Sequence, residues 1–383
     1  MTQKLYDIDS YIKEFDATVQ SCETADGKYI ITLDKTAFFP EEGGQTCDAG
    51  TIDGIEILSV SIKDGVIYHT LPSPLEVGAT VHGKIDFSHR YYNMQHHTGE
   101  HIISGIAHKL YGYENVGFHL SREDMTVDFS GELTRAQLDE IEILANKAIY
   151  ECHNIYAYYP KKDELSALSY RAKLDLSENV RIVNIEGVDM CACCAPHVKN
   201  TGEVGIIKIL DFMRYKGGIR LHAKCGLAAL CDYDKKYKEG YAISTTLSVK
   251  QDEIYDATKR LLDTIDSYKD TVYKLKCEVR QLKLASLEYT DGNICLFEDS
   301  ADMNFIRSYV NEAVKKCGGM CGVFAGNDID GYKYIVASSS IDLKTISAKM
   351  KDSLNARGGG SSIMIQGSTC ADKEKIKEFF ENN

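Results

Sequence analysis

Two short clusters of metal-ligating residues, far apart in the chain, constrain this fold more than any other feature. The first is Gln95-His96-His97-Thr98-Gly99-Glu100-His101. It lies in the stretch 91–110, where Met94, Ile102, Ile106 and Leu110 recur at helical spacing and no proline intervenes. Residues i and i+4 share one face of a helix, so His97 and His101 can reach one ion. The second cluster, Cys191-Ala192-Cys193-Cys194-Ala195-Pro196-His197, offers Cys193 and His197 at CxxxH spacing. Three imidazoles and one thiolate are borderline-soft donors that suit zinc, one ion per chain. Either motif alone is weak, since helical histidines more often satisfy local hydrogen bonds. Together they supply two halves of a four-ligand shell. Cys194 stands one residue out of register, and Cys191 with Cys194 makes a CxxC of its own. Both stay open as alternatives, and Cys193 is the preferred ligand.

The 13 cysteines are odd in number and three crowd into one heptapeptide, which fits reduced thiols and a metal site better than a disulfide framework. At 383 residues, two or three domains are expected, and 44% hydrophobic residues are ample for packed cores. No run approaches the ~18 apolar residues of a membrane span, and the first residues carry no apolar signal region. A cytoplasmic chain without a membrane partner is expected. The net charge of −13 argues against broad nucleic-acid binding. Yet residues 206–224 hold Lys208, Arg214, Lys216, Arg220 and Lys224 against Asp211 alone. Such a patch can contact a few phosphates while limiting nonspecific RNA binding. Its plainer reading is a solvated loop face.

The element pattern is α+β. Residues 1–88 alternate short β-rich runs (17–20, 28–33, 55–62 and 65–69) with Asp-Gly turns, which reads as a small β-barrel or sandwich. Within it, the Gly43-Gly44 pair allows close backbone approach, though a plain turn would look the same. Residues 89–235 form a second domain: the histidine helix, strands within 117–129, a helix over 134–153 capped by Thr134, and a strand over 181–185 leading to the cysteines. A turn over 199–205 and a strand over 206–212 follow. In 240–290, Leu247, Ile254, Leu261, Tyr268, Leu275 and Leu282 fall seven apart, with Thr258, Ile265, Val272 and Val279 interleaved. This predicts one long coiled-coil helix, paired with a second copy or folded back on its own chain. Residues 291–383 read as an α/β domain with strands over 321–325 and 332–338 and helices over 304–316 and 341–354. Its Gly358-Gly359-Gly360 marks close backbone approach or a flexible loop, and no Walker lysine follows.

In this order the motifs resemble the alanyl-tRNA editing family, free-standing relatives of the editing half of alanyl-tRNA synthetase. Residues 36–45 resemble its glycine-rich motif, 95–101 its HxxxH helix, and 193–205 its cysteine–histidine motif. The heptad helix and Gly358–Gly360 resemble the synthetase's C-terminal region, which marks the long subgroup. Two departures stand out: Glu42 occupies a position where another glycine is common, and Cys194-Ala195-Pro196 replaces Gly-Gly-Thr.

The resemblance implies zinc-dependent deacylation of mischarged tRNA(Ala), chiefly Ser-tRNA(Ala) and next Gly-tRNA(Ala). An alanine pocket cannot strongly reject an added hydroxyl, so a second hydrolytic site is needed. It also implies that Thr36 partners the serine hydroxyl, with Gly43, Gly44 and Gln45 lining the substrate. Glu100 shares the face of His97 and is a candidate base, or else orients a ligand from behind. Expected RNA contacts are Arg214, Lys216 and Arg220, together with Lys351, Arg357, Gly358, Gly359 and Gly360. Residues 240–383 are expected to add tRNA affinity, homodimerisation or both. The alternatives are editing of another tRNA, as in threonyl-type modules, and a zinc-stabilised RNA-binding protein without catalysis.

Overall fold

The structure is a computed structural model that describes residues 1–121, 125–172, 180–299 and 302–383. The chain forms two compact units, Met1–Ile243 and Ser244–Asn383. No helix among the described residues is long and apolar enough to cross a membrane.

The first unit opens with a seven-stranded antiparallel sheet. Its strand order is Ile55–Glu56, Gly50–Ile52, Thr80–Ile85, Glu14–Ala25, Lys28–Leu33, Val66–Leu71, Ser59–Lys63. The central strand Glu14–Ala25 carries a register shift between Val19 and Ser21. There it leaves one partner for the other, as bulged strands do when a sheet bends. The outermost strands are sequence neighbours. Ile57 N–H bonds the Gly50 carbonyl on one edge and Leu58 N–H the Thr70 carbonyl on the other. Alternation along the strands sends Phe15, Val19, Ile31, Leu33, Ile52 and Ile67 inward, onto Phe38 and Phe39.

The helix Phe87–Tyr111 begins where Asp86 accepts the N–H groups of Ser88 and His89, and ends at Gly112 in the left-handed conformation. Fully buried Arg90 ties it to the sheet. The guanidinium grips Asp48 and donates to the carbonyls of Ser10 and Ala37. A second helix, Arg135–Tyr150, starts at Thr134 with a capping box to Gln137. Both pack on an antiparallel sheet ordered Asn115–Leu120, Met125–Phe129, Gly218–Cys225, Ile207–Tyr215. Part of the stretch 117–129 expected as strands, residues 122–124, lies outside the described residues. A three-stranded sheet, Ile155–Tyr158, Ile182–Ile185 and Asp189–Ala192, delivers the cysteine cluster.

The second unit has a five-stranded sheet ordered Ile294–Glu298, Met320–Asn327, Gly331–Ser338, Met364–Thr369, Arg357–Gly360, parallel only at its first pair. Helices Leu343–Leu354 and Lys373–Glu381 cover one face, and Met303–Ala313 the other. One expectation changes here. The heptads do not run through one helix. A helix ends at Leu247, Ser248 turns left-handed at φ 53°, and Val249 N–H bonds back to the Ser244 carbonyl, before the helix Ile254–Ser286 begins. Leu247 and Ile254 keep heptad spacing across this Schellman-type stop, so the sequence pattern hides it. Of the two readings of the glycine run, close backbone approach is the one seen: it forms an edge strand, and a Cβ on Gly358 or Gly360 would fall on a carbonyl oxygen of the neighbouring strand. Along Ile254–Ser286 the stripe of Leu261, Ile265, Tyr268, Val272, Leu275, Val279 and Leu282 is exposed.

Candidate metal centre

The helix Phe87–Tyr111 presents His97 and His101 one turn apart, and the segment after the strand Asp189–Ala192 returns Cys193 and His197 to meet them. The four donor atoms all lie within 4.8 Å of one another. Cys193 Sγ is 3.5 Å from His97 Nε2 and 3.4 Å from His197 Nε2. A tetrahedral zinc bound at ordinary lengths sets sulfur and nitrogen roughly 3.5 Å apart, so these residues fit such an ion.

Each imidazole is aimed from behind. A ring that offers Nε2 as a lone pair keeps its proton on Nδ1, and all three Nδ1 atoms have partners. His97 Nδ1 donates to Gln45 Oε1 at 2.8 Å, His101 Nδ1 to Asp189 Oδ2 at 3.0 Å, and His197 Nδ1 to Thr98 Oγ1 at 3.1 Å. Ser10 further pins the His197 segment by donating to the His197 carbonyl. Arg171 clasps Asp189 with two hydrogen bonds, at 2.7 and 2.8 Å. Burial alone would raise the Asp189 carboxyl, but His101 and Arg171 bring it down to about 2. Burial also disfavours the Cys193 thiolate, yet His97 and His197 hold that thiol well below its ordinary range. Burial drives His197 down to about 3, so it is a neutral imidazole, as a ligand must be.

Close packing makes this convergence possible. Gly105 lies where a Cβ would approach Asp189 Cβ to 2.7 Å and the Val188 carbonyl oxygen to 2.8 Å. A glycine there costs about 1 kcal/mol of helix propensity and lets the helix touch the strand that carries Asp189. Gly44, at φ 84°, sits against the backbone of Phe118, whose ring lies 4.7 Å from that of His97.

The two cysteines left open by spacing lie apart from the four-donor group. Cys194 Sγ lies beside Gly43, and burial, with Cys193 and Glu42 near it, pushes its thiol far above the ordinary range. Cys191 groups with His101 and Asp189 on the far side of the His101 ring, and burial raises it to about 11. Glu100 is buried. Ser104 and Asn115 both donate to its Oε1, and its Oε2 is 3.8 Å from His101 Nε2. Thr36 is fully buried, accepting the Phe38 N–H at 3.1 Å with His69 Nε2 at 3.0 Å.

Most of the basic run is matched by acids from other elements. Lys208 pairs with Glu142, Arg214 with Glu132, Arg220 with Asp128 and Lys224 with Asp232. Arg220 and Lys216 both lie over the Tyr215 ring, at 3.9 and 5.1 Å. Lys351, on the helix Leu343–Leu354, and Arg357, on the edge strand, are exposed in the second unit. Sequence reasoning missed Asp189, Arg171 and Thr98. Thr98 lies inside the first motif and Asp189 shortly before the second, so their nearness to the ligands was the available signal.

A family model described as the threonyl and alanyl tRNA synthetase second additional domain matches residues 180–224. The alanyl-tRNA editing protein AlaX-L of Pyrococcus horikoshii is 27% identical across 98% of this chain and 96% of its own length. The alanyl-tRNA editing protein AlaX-M of Methanosarcina mazei is 40% identical across 55% of this chain and 90% of its own. The alanine–tRNA ligase of Ignicoccus hospitalis is 29% identical across 98% of this chain, which corresponds to 42% of the ligase.

Proposed function

The chain belongs to the alanyl-tRNA editing protein family, and on that premise we propose that it deacylates mischarged tRNA(Ala) in trans, with Ser-tRNA(Ala) the chief substrate and Gly-tRNA(Ala) the second. The observation that carries this reading is the convergence of His97, His101, Cys193 and His197, with every imidazole Nδ1 already engaged. We take these four as ligands of one zinc ion. When bound, zinc would supply a fixed positive charge that favours the oxyanion developing on the ester.

The remaining chemistry falls to side chains of this chain. Four protein donors fill a tetrahedral shell, so proton movement is assigned to Glu100. Its Oε1 is anchored by Ser104 and Asn115 and its Oε2 lies on the ligand side. As a water oxygen bonds to the ester carbon, Oε2 takes the water proton. It returns that proton to the ribose oxygen as the ester bond breaks. Gly43 and Gly44 let the loop approach the aminoacyl group, and the Thr36 hydroxyl is positioned to distinguish serine from alanine. Arg214, Lys216 and Arg220 are assigned to tRNA contact, as are Lys351, Arg357, Gly358, Gly359 and Gly360. The exposed stripe of the helix Ile254–Ser286 is assigned to homodimerisation, in the cytoplasm where tRNA is charged.

Two measurements test the proposal. Purified protein incubated with Ser-tRNA(Ala) and Ala-tRNA(Ala) should release serine much faster, and equal release of both would defeat the editing reading. Elemental analysis should find one zinc per chain, lost in the His97→Ala/His101→Ala double variant.

A further inference from the structure

Beside the ligands lies a second polar cluster, formed by Tyr6, Asp7, Glu42, Tyr159, Arg181 and Cys194. Its charges do not cancel. Asp7 is matched: Arg181 Nε lies 3.4 Å from one carboxylate oxygen and Tyr159 donates to the other at 2.9 Å. Arg181 is also committed to the carbonyls of Cys193 and Ala195. Among the described residues no cation pairs with Glu42, so two carboxyl groups here face one guanidinium.

Four of the buried polar atoms here lack hydrogen-bond partners: Glu42 Oε2, Tyr6 Oη, Gln45 Nε2 and Asp7 Oδ1, the last of which meets Arg181 only as an ion pair. Tyr6 is 1% exposed and Gln45 0%. An orphaned buried polar atom is destabilising, and four at one place point to a ligand that completes them. Their types define it. Glu42 Oε2 and Tyr6 Oη can accept, the first with a full charge, while Gln45 Nε2 can only donate. Glu42 and Gln45 are tied as a backbone pair, with Glu42 N–H on the Gln45 carbonyl and Gln45 N–H on that of Glu42. Their free atoms thus present an acceptor and a donor from one tight turn. Gln45 Oε1 holds His97, and Cys194 adjoins Cys193, so the turn sits between two of the four donors. The turn opens to solvent at Gly43 and Gly44.

We propose that Glu42, with Tyr6 beside it, forms a subsite for the α-ammonium group of the aminoacyl ester, while Gln45 Nε2 donates to the neighbouring ester carbonyl. The inference rests on the deacylase reading above and adds a recognition element to it. Every aminoacyl-tRNA carries a cationic nitrogen one carbon from the scissile carbonyl. A carboxylate and an amide donor on one turn are the complement of that pair. A charge-assisted hydrogen bond of this kind is the stronger class, and its loss is felt most where water is excluded.

The test compares two esters on tRNA(Ala): seryl, and the α-hydroxy analogue made by nitrous acid deamination, in which a hydroxyl replaces the ammonium. Each enzymatic rate is divided by the uncatalysed hydrolysis of the same ester. The unaltered protein should favour the seryl ester by roughly tenfold or more. Glu42→Gln should bring the two within about twofold, through loss on the seryl ester alone, and Glu42→Asp, which keeps the charge, should retain most of the preference. Equal acceleration of both esters by the unaltered protein would overturn the subsite, as would an undiminished preference in Glu42→Gln. No acceleration of either ester would overturn the deacylase reading itself, and the subsite with it.

Discussion

His101 Nδ1 and Asp189 Oδ2 face each other at 3.0 Å, and the Arg171 fork holds the same carboxylate from the other side. This is the one ligand whose rear partner is an anion; Gln45 and Thr98 serve the other two imidazoles as neutral acceptors. Asp189→Asn keeps the shape and removes the charge. It should weaken zinc binding by about 10- to 100-fold, as measured by competition with a chromophoric chelator. Unchanged affinity would show that Asp189 only packs.

Thr36 has a similarly layered environment. With His69 Nδ1 directed at the Ile31 carbonyl, His69 Nε2 accepts the Thr36 hydroxyl proton, while Thr36 Oγ1 accepts from Phe38. One acceptor position on Oγ1 is then left for a serine hydroxyl that donates. Thr36→Val should therefore lower the preference for Ser-tRNA(Ala) over Ala-tRNA(Ala), by about tenfold for one hydrogen bond. Selectivity equal to that of the unaltered protein would withdraw the role of Thr36 and leave the editing assignment standing.

His69 also sets a pH dependence of stability. Burial disfavours its charged form and lowers its pKa from 6.5 to about 4, with the Ile31 carbonyl opposing. Between those values the unfolded chain binds the proton and the folded one does not. Stability is therefore complete above pH 6.5 and falls as pH drops toward 4, by roughly 3 kcal/mol in all. Urea denaturation at intervals across this range should show the decline, and His69→Gln should flatten it. Parallel curves for the two proteins would contradict the assignment.

The two units divide at Ile243 and Ser244, and the four proposed ligands, Glu100 and the Gly43-Gly44 turn all precede that point. A chain ending at Ile243 should keep its zinc and its turnover at saturating tRNA, yet need more tRNA to reach half its maximal rate. Sedimentation of the full chain against the shortened one should show whether the exposed stripe of Ile254–Ser286 joins two copies. Lost turnover at saturating tRNA, with zinc retained, would place part of the active site in the second unit.

The helix that carries His97 and His101 was legible because its signal is local: apolar spacing and an i, i+4 histidine pair both report one face. The Thr134 cap was legible for the same reason. Asp189, Arg171 and Thr98 were not, because their roles are set by what lies behind an imidazole, and residues far apart in sequence share no local period. Cys193 was preferred over Cys194 from the sequence, and the reason is visible only in three dimensions: adjacent side chains diverge, one toward the imidazoles and the other toward Glu42. The stop at Ser248 escaped because seven-residue spacing continues across it. The glycine run was legible as a place of close backbone approach, but not as a strand, because a strand built of glycine carries no alternating side chains to announce itself.

The four donors come from two segments, one on a helix near residue 100 and the other near residue 195. An ion held between them is also a cross-link. It fastens the two ends of a loop on the order of a hundred residues, and tying such a loop removes about 4–5 kcal/mol of freedom from the unfolded chain. With a metal bound there, the ring could not open until a donor let go, and the lifetime of the folded first unit would be tied to the residence time of the ion.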